Sequence, residues 1–236
     1  MFKSQMKCQK ILCFVCLILA ALLFVYSLGF ITSIYNMLNY TWVVNKNSGV
    51  VRLRDTSLEG AGCELFWDLE TLVMPVTKTV IDKNGNEEEV TVEERTVGFV
   101  DKLMTVAIVD IVAALILYVF NTHKRRKYYV GNYVATAIFS GFNVGASVWM
   151  FVKLAEYHNK FVAMNHEVIK DFCEQYARDY NYNGAILSFS LGYVLAVLMI
   201  VAAVAVALNL VWKLTLEKRE NKLLNQSSVQ EVAVNG

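Results

Sequence analysis

The chain has 236 residues, of which 56% are hydrophobic and 18% charged, with a formal net charge of +1. A soluble domain carries about 25% charged residues, so this composition excludes an ordinary soluble globule. It also excludes disorder over most of the length, and a nucleic-acid binder is excluded by the near-neutral balance.

In chain order, residues 1–10 form a short basic N-terminus with Lys3, Lys7 and Lys10. Residues 11–34, ILCFVCLILAALLFVYSLGFITSI, are long and apolar enough for a first membrane helix, which needs about 20 residues. The run exceeds the roughly 7–15 residues of a signal-peptide core, and no small-x-small site follows, so the helix is expected to be retained.

Residues 35–102 form the first loop on the outer side. Its middle, VTKTVIDKNGNEEEVTVEERTV, places two β-branched runs around Asn84-Gly85. That dipeptide is the strongest short-range hairpin signal, because a type I′ turn needs positive φ at both positions. A hairpin is expected over about 76–97, with Asp82 opposite Glu87, Thr79 opposite Val90 and Thr77 opposite Val92. A third strand around 49–54 is expected to join it. Asp82, Asn84, Asn86 and Glu93 occupy the spacing of oxygen ligands in a calcium loop. Glu87 stands where that loop needs glycine, however, and the hairpin explains the residues without metal. No cofactor is expected.

The second span, residues 103–120, contains Asp110 near its centre, where an acid costs about 2.5–3.5 kcal/mol on insertion scales. Residues 121–130 form a basic turn carrying Lys124, Arg125, Arg126 and Lys127. The third span, 131–152, puts Asn143 at the depth of Asp110. An Asp110–Asn143 hydrogen bond between helices, with the acid neutral in its apolar surroundings, is the favoured reading. A proton or cation site on a conduction path is the alternative. Ala137, Gly141 and Gly145 recur every four residues in this span, as do Ser188, Gly192 and Ala196 in the fourth. Such small-residue seams let helices approach closely, and they serve an internal bundle contact or an oligomer contact equally well.

In the second outer loop, 153–184, Phe161, Met164, Val168, Phe172, Tyr176 and Tyr180 recur at helical steps. They predict an amphipathic helix that continues the third span and returns along the membrane surface. Cys63 and Cys173 are the only cysteines outside, one per loop, and a disulfide between them is expected if that compartment is oxidising. Residues 185–212 form the fourth span. The tail, 213–236, reads as a helical overhang to about Leu224 and then a flexible polar end.

The three segments on the termini side hold 11 basic residues and three acids; the two other loops hold 11 basic residues and 17 acids. By the positive-inside rule both termini are cytoplasmic, and the cell membrane is the expected location. The fold class is therefore a mainly α membrane protein, a four-transmembrane-helix bundle with a small extracytoplasmic β-hairpin region and an amphipathic outer helix. No Walker loop, G-x-S-x-G or CxxC occurs, and the three histidines fall on different sides. A non-enzymatic tetraspan protein is expected, acting through its outer loops as an accessory, scaffold or surface-interaction module. Its expected partners are the lipid bilayer and either another protein or a second copy. A small proton- or cation-linked transporter or channel subunit using Asp110 is the second reading.

Overall fold

The computed structural model describes residues 2–38, 42–44, 51–53, 65, 68–69, 72–81, 87–122, 130–175 and 180–234. Its elements are α1 (Phe2–Leu38), β1 (Trp42–Val44), β2 (Val51–Leu53), β3 (Leu72–Ile81), β4 (Glu87–Thr96), α2 (Phe99–Thr122), α3 (Val130–Val162), α4 (His166–Gln175) and α5 (Tyr182–Val234). Helices α1, α2, α3 and α5 are long and apolar enough to cross a membrane, which makes the chain an integral multi-pass membrane protein. None contains proline, and in lipid an unbroken helix is what satisfies every backbone group within one segment.

Three of these helices clearly outrun the bilayer. At 37, 33 and 53 residues, α1, α3 and α5 extend to roughly 55, 50 and 80 Å, against about 30 Å of hydrocarbon. The flexible end expected after Leu224 is instead helical to Val234. The physical reason is local, because the segment between them contains neither glycine nor proline to stop the helix.

Helix ends follow capping chemistry. Asn181 Oδ1 accepts from the Gly184 amide at 2.8 Å, an N-cap for α5. Between α3 and α4 the chain breaks at Ala163–Asn165, and the Ile169 amide donates to the Asn165 carbonyl at 3.3 Å. Glu167 in the first turn of α4 complements the helix dipole. The break corrects the apolar stripe expected along this loop. Met164 lies in the turn, and the buried positions of α4 include Ile169 and Cys173.

The strands form two antiparallel pairs, β1 with β2 and β3 with β4. The segment expected as a third strand of the hairpin therefore pairs elsewhere, Val51 opposite Val44 and Leu53 opposite Trp42. The β3–β4 register is also shifted by one residue from expectation, with Ile81 opposite Glu87, Thr79 opposite Glu89 and Thr77 opposite Thr91. A two-residue turn at Asn84-Gly85 would have paired Thr79 with Val90. Five residues separate the observed strand ends, and an odd count moves the whole ladder by one. Asn84-Gly85 itself lies outside the described residues.

Burial along the membrane helices recurs in alternating steps of three and four. In α2, after the buried Phe99 and Val100 of its first turn, the buried positions are Leu103, Ala107, Asp110, Ala114, Leu117 and Asn121. In α1 Cys13, Cys16, Ala20, Leu23, Ser27 and Phe30 do the same. This is the spacing of left-handed, knobs-into-holes helix packing.

The chain divides into two compact units. One comprises Met1–Leu23, Ala107–Met150 and Val194–Gly236; the other comprises Phe24–Val106 and Phe151–Tyr193. The second has an aromatic interior. Phe189 meets Phe30, His158 and Phe161, while Phe99 meets Phe30 and Tyr157. Leu65 and Leu69, from the segment between α1 and α2, are buried in the structure, and Asp68 beside them pairs with Lys160 of α3 at 2.6 Å.

Cys173 in this unit is a fully buried free thiol. Cys63 lies outside the described residues, and the bridge expected between the two is not part of the described structure. Burial raises the Cys173 pKa above the ordinary thiol value. The folded state therefore holds the proton more tightly than the unfolded chain does. The stability this supplies is present below the usual thiol range and is lost as pH rises through it. Alkylation of native Cys173, followed by the mass of its peptide, is expected to be about tenfold slower at neutral pH than in denaturant and to speed up in alkali. Equal rates in both states would show an accessible thiol.

Candidate functional site

The interior of the first unit carries a polar stripe through an otherwise apolar core, where that of the second is aromatic. Along α3 the buried residues Asn132, Thr136, Ser140, Asn143 and Ser147 recur at steps of three and four. At 100° per residue they fall within an arc of about 80°. Toward its C-terminal end the same side of α3 continues as Met150, Leu154, Tyr157 and Phe161, all buried and all but the tyrosine hydroxyl apolar. The face therefore changes from polar to apolar along a single helix.

Other helices of the unit add to this interior. α2 contributes Asp110 and Asn121, α1 contributes Gln5 and Gln9, and α5 contributes Asn209 and Lys213, all buried. Asn143 Nδ2 donates to Asp110 Oδ1 at 2.7 Å and also approaches the Phe139 carbonyl at 3.3 Å. Gln5 Nε2 donates both to Asn209 Oδ1 at 2.8 Å and to Gln9 Oε1 at 3.1 Å. The Asn121 amide points at Cys13 Sγ, 3.7 Å away. Lys213 lies over the Tyr133 ring, 4.8 Å from its centre, and the Tyr133 hydroxyl donates to Glu217.

These bonds do not satisfy the interior. Gln5 Oε1, Asn121 Oδ1, Ser140 Oγ, Ser147 Oγ and Asn209 Nδ2 are buried without a hydrogen-bond partner. Exchanging oxygen and nitrogen at Gln5, Gln9 and Asn209 together reverses donors and acceptors but leaves as many orphans. Each such group costs about 1–3 kcal/mol when left dry. Five together approach the roughly 5–15 kcal/mol that holds a whole domain folded. Water admitted to bridge these groups would remove that cost, although the space among Gln9, Cys13, Asn121 and Asn209 is closed to a water molecule as the side chains stand.

The two small-residue seams part company. In α5, Gly192 and Ala196 are buried and Ser188 half-buried; a Cβ on Gly192 would run into the Tyr26 hydroxyl and lie 2.6 Å from Leu154 Cδ1. Ala137, Gly141 and Gly145 of α3 are exposed, and a Cβ on either glycine meets nothing within 4 Å. On the helical wheel this seam is opposite the polar arc. The sequence left both uses open for both seams; the structure gives the internal one to α5 and, among the described residues, leaves the α3 seam uncovered.

Of the other sequence-derived candidates, Asp82, Asn84 and Asn86 lie outside the described residues, while Glu93 is in β4 opposite Pro75. Among the described residues no group of three or more His, Cys, Asp or Glu side chains could hold a metal ion. His158 stacks on Phe189 at 4.8 Å, and His166 Nε2 bonds the Phe161 carbonyl at 2.7 Å, both in packing roles. Sequence reasoning found Asp110 and Asn143 but missed Asn132, Thr136, Ser140 and Ser147. Their own spacing was the available signal. Comparison with family models, with curated proteins and with solved structures finds no match to this chain.

Proposed function

We propose that the chain is a non-enzymatic tetraspan protein that works as an accessory or scaffold, with both termini cytoplasmic and its outer loops available for surface interaction. The observation that carries the reading is the α3 seam. Ala137, Gly141 and Gly145 form a small-residue groove on a membrane helix, flanked by exposed Val134, Ile138 and Val148, with nothing among the described residues within 4 Å of a Cβ at either glycine. Close backbone approach is what such a groove offers, and in lipid that packing supplies much of helix association. The occupant is a transmembrane helix of a partner protein. The charge contrast between the loops supports the orientation, and the acidic first outer loop supports a surface-contact role.

The test is co-purification in mild detergent. Gly141→Leu with Gly145→Leu is expected to lower recovery of a stable partner by about tenfold, the equivalent of the 1–2 kcal/mol such contacts supply. Thermal stability of the chain itself is expected not to fall, and to rise by up to about 1 kcal/mol for each glycine replaced, since a helix gains from losing an interior glycine where nothing obstructs the new side chain. Loss of self-association instead would identify a second copy as the occupant. Unchanged recovery would remove the seam from the interface.

A further inference from the structure

We propose that the polar interior of the first unit is a hydrated, one-ended proton path that connects Asp110 with the end of the bundle where Gln5, Asn121 and Asn209 gather. Three observations carry it. Polar side chains recur along α3 at steps of three and four, from Asn132 through Thr136 and Ser140 to Asn143 and Ser147, all buried, with Phe139 the one buried apolar residue among them. Unpartnered atoms lie in the interior of the same unit, at Asn209, Gln5, Asn121, Ser140 and Ser147, each on a residue at least nine-tenths buried. Asp110, bonded to Asn143, is the only acid within the second span.

The route ends on α3 itself. Beyond Ser147 its buried face offers Met150 and Leu154, which can neither donate to nor hold water. At the other end, the Gln5 amide joined to Gln9 and Asn209, with Asn121 against Cys13, closes the interior. Long polar side chains with rotatable amides are suited to opening such a closure. Protons therefore exchange with one side of the membrane, which makes Asp110 a sensor of that side and not a station on a through-pore.

The cargo is a proton because the chemistry around Asp110 suits little else. A divalent cation takes six or more oxygen ligands, commonly from several carboxylates, and here there is one. The groups facing Asp110 are Asn143 on α3 and the Cys16 thiol on α1, which is within electrostatic range, with Cys13 one turn away. α3 has no charged residue between Val130 and Val152, and α5 has none between Val194 and Trp212. Nothing charged competes for the acid. In the step itself an excess proton that enters as hydronium passes to Asp110 Oδ, which becomes neutral and leaves a water molecule, and the reverse step returns the proton to water by the same route.

Infrared difference spectroscopy of the full chain in proteoliposomes tests this. A pH change on the termini side is expected to convert an Asp110 carboxylate band into a protonated carbonyl band that shifts in deuterated water and is missing in Asp110→Asn. The same change on the opposite side alone is expected to leave it unaltered. Ser140→Val with Asn209→Leu, which leaves Asp110 and Asn143 in place, is expected to slow deuteration of the acid by about tenfold or more, because two hydrogen-bonding stations are removed. An acid that does not respond to pH or deuterium in a natively folded chain overturns the proposal. So does exchange that is equal from both sides, or equally fast in the double variant.

Discussion

Phe189→Ala is expected to destabilise the folded protein by about 3 kcal/mol, at the low end for removal of a buried phenylalanine. Its ring is fully buried and binds three others. Phe30 of α1 meets it edge-on at 5.6 Å, His158 of α3 stacks on it at 4.8 Å and 15°, and Phe161 of α3 lies tilted at 5.8 Å. Such ring pairs contribute about 0.5–1.5 kcal/mol each, and truncation also leaves a cavity where two further helices had been held. Lipid-exposed unfolded chain is already in an apolar medium, so the transfer part of the cost shrinks while the packing part remains. Unfolding in mixed micelles would measure it. Leu191→Ala, two residues along the same helix at a position 54% exposed, should change stability by no more than about 0.5 kcal/mol. If both substitutions cost the same, the aromatic cluster does not hold the unit.

The contrast between these two positions also marks how far the sequence could be read. Hydropathy alone shows that residues 185–212 form a helix, since lipid permits little else, and so the four spans were legible. Which side of that helix is buried was not, because Phe189 and Leu191 are equally at home in hydrocarbon and in a core. A soluble helix betrays its buried face by an apolar stripe; a membrane helix is apolar all round. Only polar residues break that degeneracy. Asp110 and Asn143 were legible as a pair because each is costly in lipid and they lie at one depth, and 2.7 Å separates their side chains. Ser140 and Ser147 carried the same information more faintly, since a serine hydroxyl can return to its own helix, as Ser188 Oγ does to the Gly184 carbonyl at 3.0 Å. The hairpin register failed for another reason. Asn84-Gly85 defines the likeliest turn for a two-residue loop, but loop length is set by how the two strands pair, with Val76 opposite Val92.

Glycine substitutions separate the two seams by sign, and the largest effect falls at Gly192. Replacing glycine by alanine inside a helix gains about 1 kcal/mol when the new methyl is unobstructed. Gly141→Ala and Gly145→Ala meet nothing within 4 Å and are expected to stabilise the isolated chain by up to that amount. At Gly192 the methyl lies 2.6 Å from Leu154 Cδ1 and overlaps the Tyr26 hydroxyl. Tyr26 cannot move without cost, because that hydroxyl donates to the Ser188 carbonyl at 2.9 Å, one turn before Gly192. Overpacking of this kind costs about 1–3 kcal/mol, which exceeds the propensity gain, so Gly192→Ala is expected to be net destabilising. Gly192→Leu adds three more carbons to the same space and is expected to leave little monodisperse protein after solubilisation. Thermal unfolding of the three alanine variants side by side reads the sign directly. A stabilising Gly192→Ala would mean that α5 does not approach Tyr26 and Leu154 closely, and a destabilising Gly141→Ala would mean that its seam is already filled when the chain is alone.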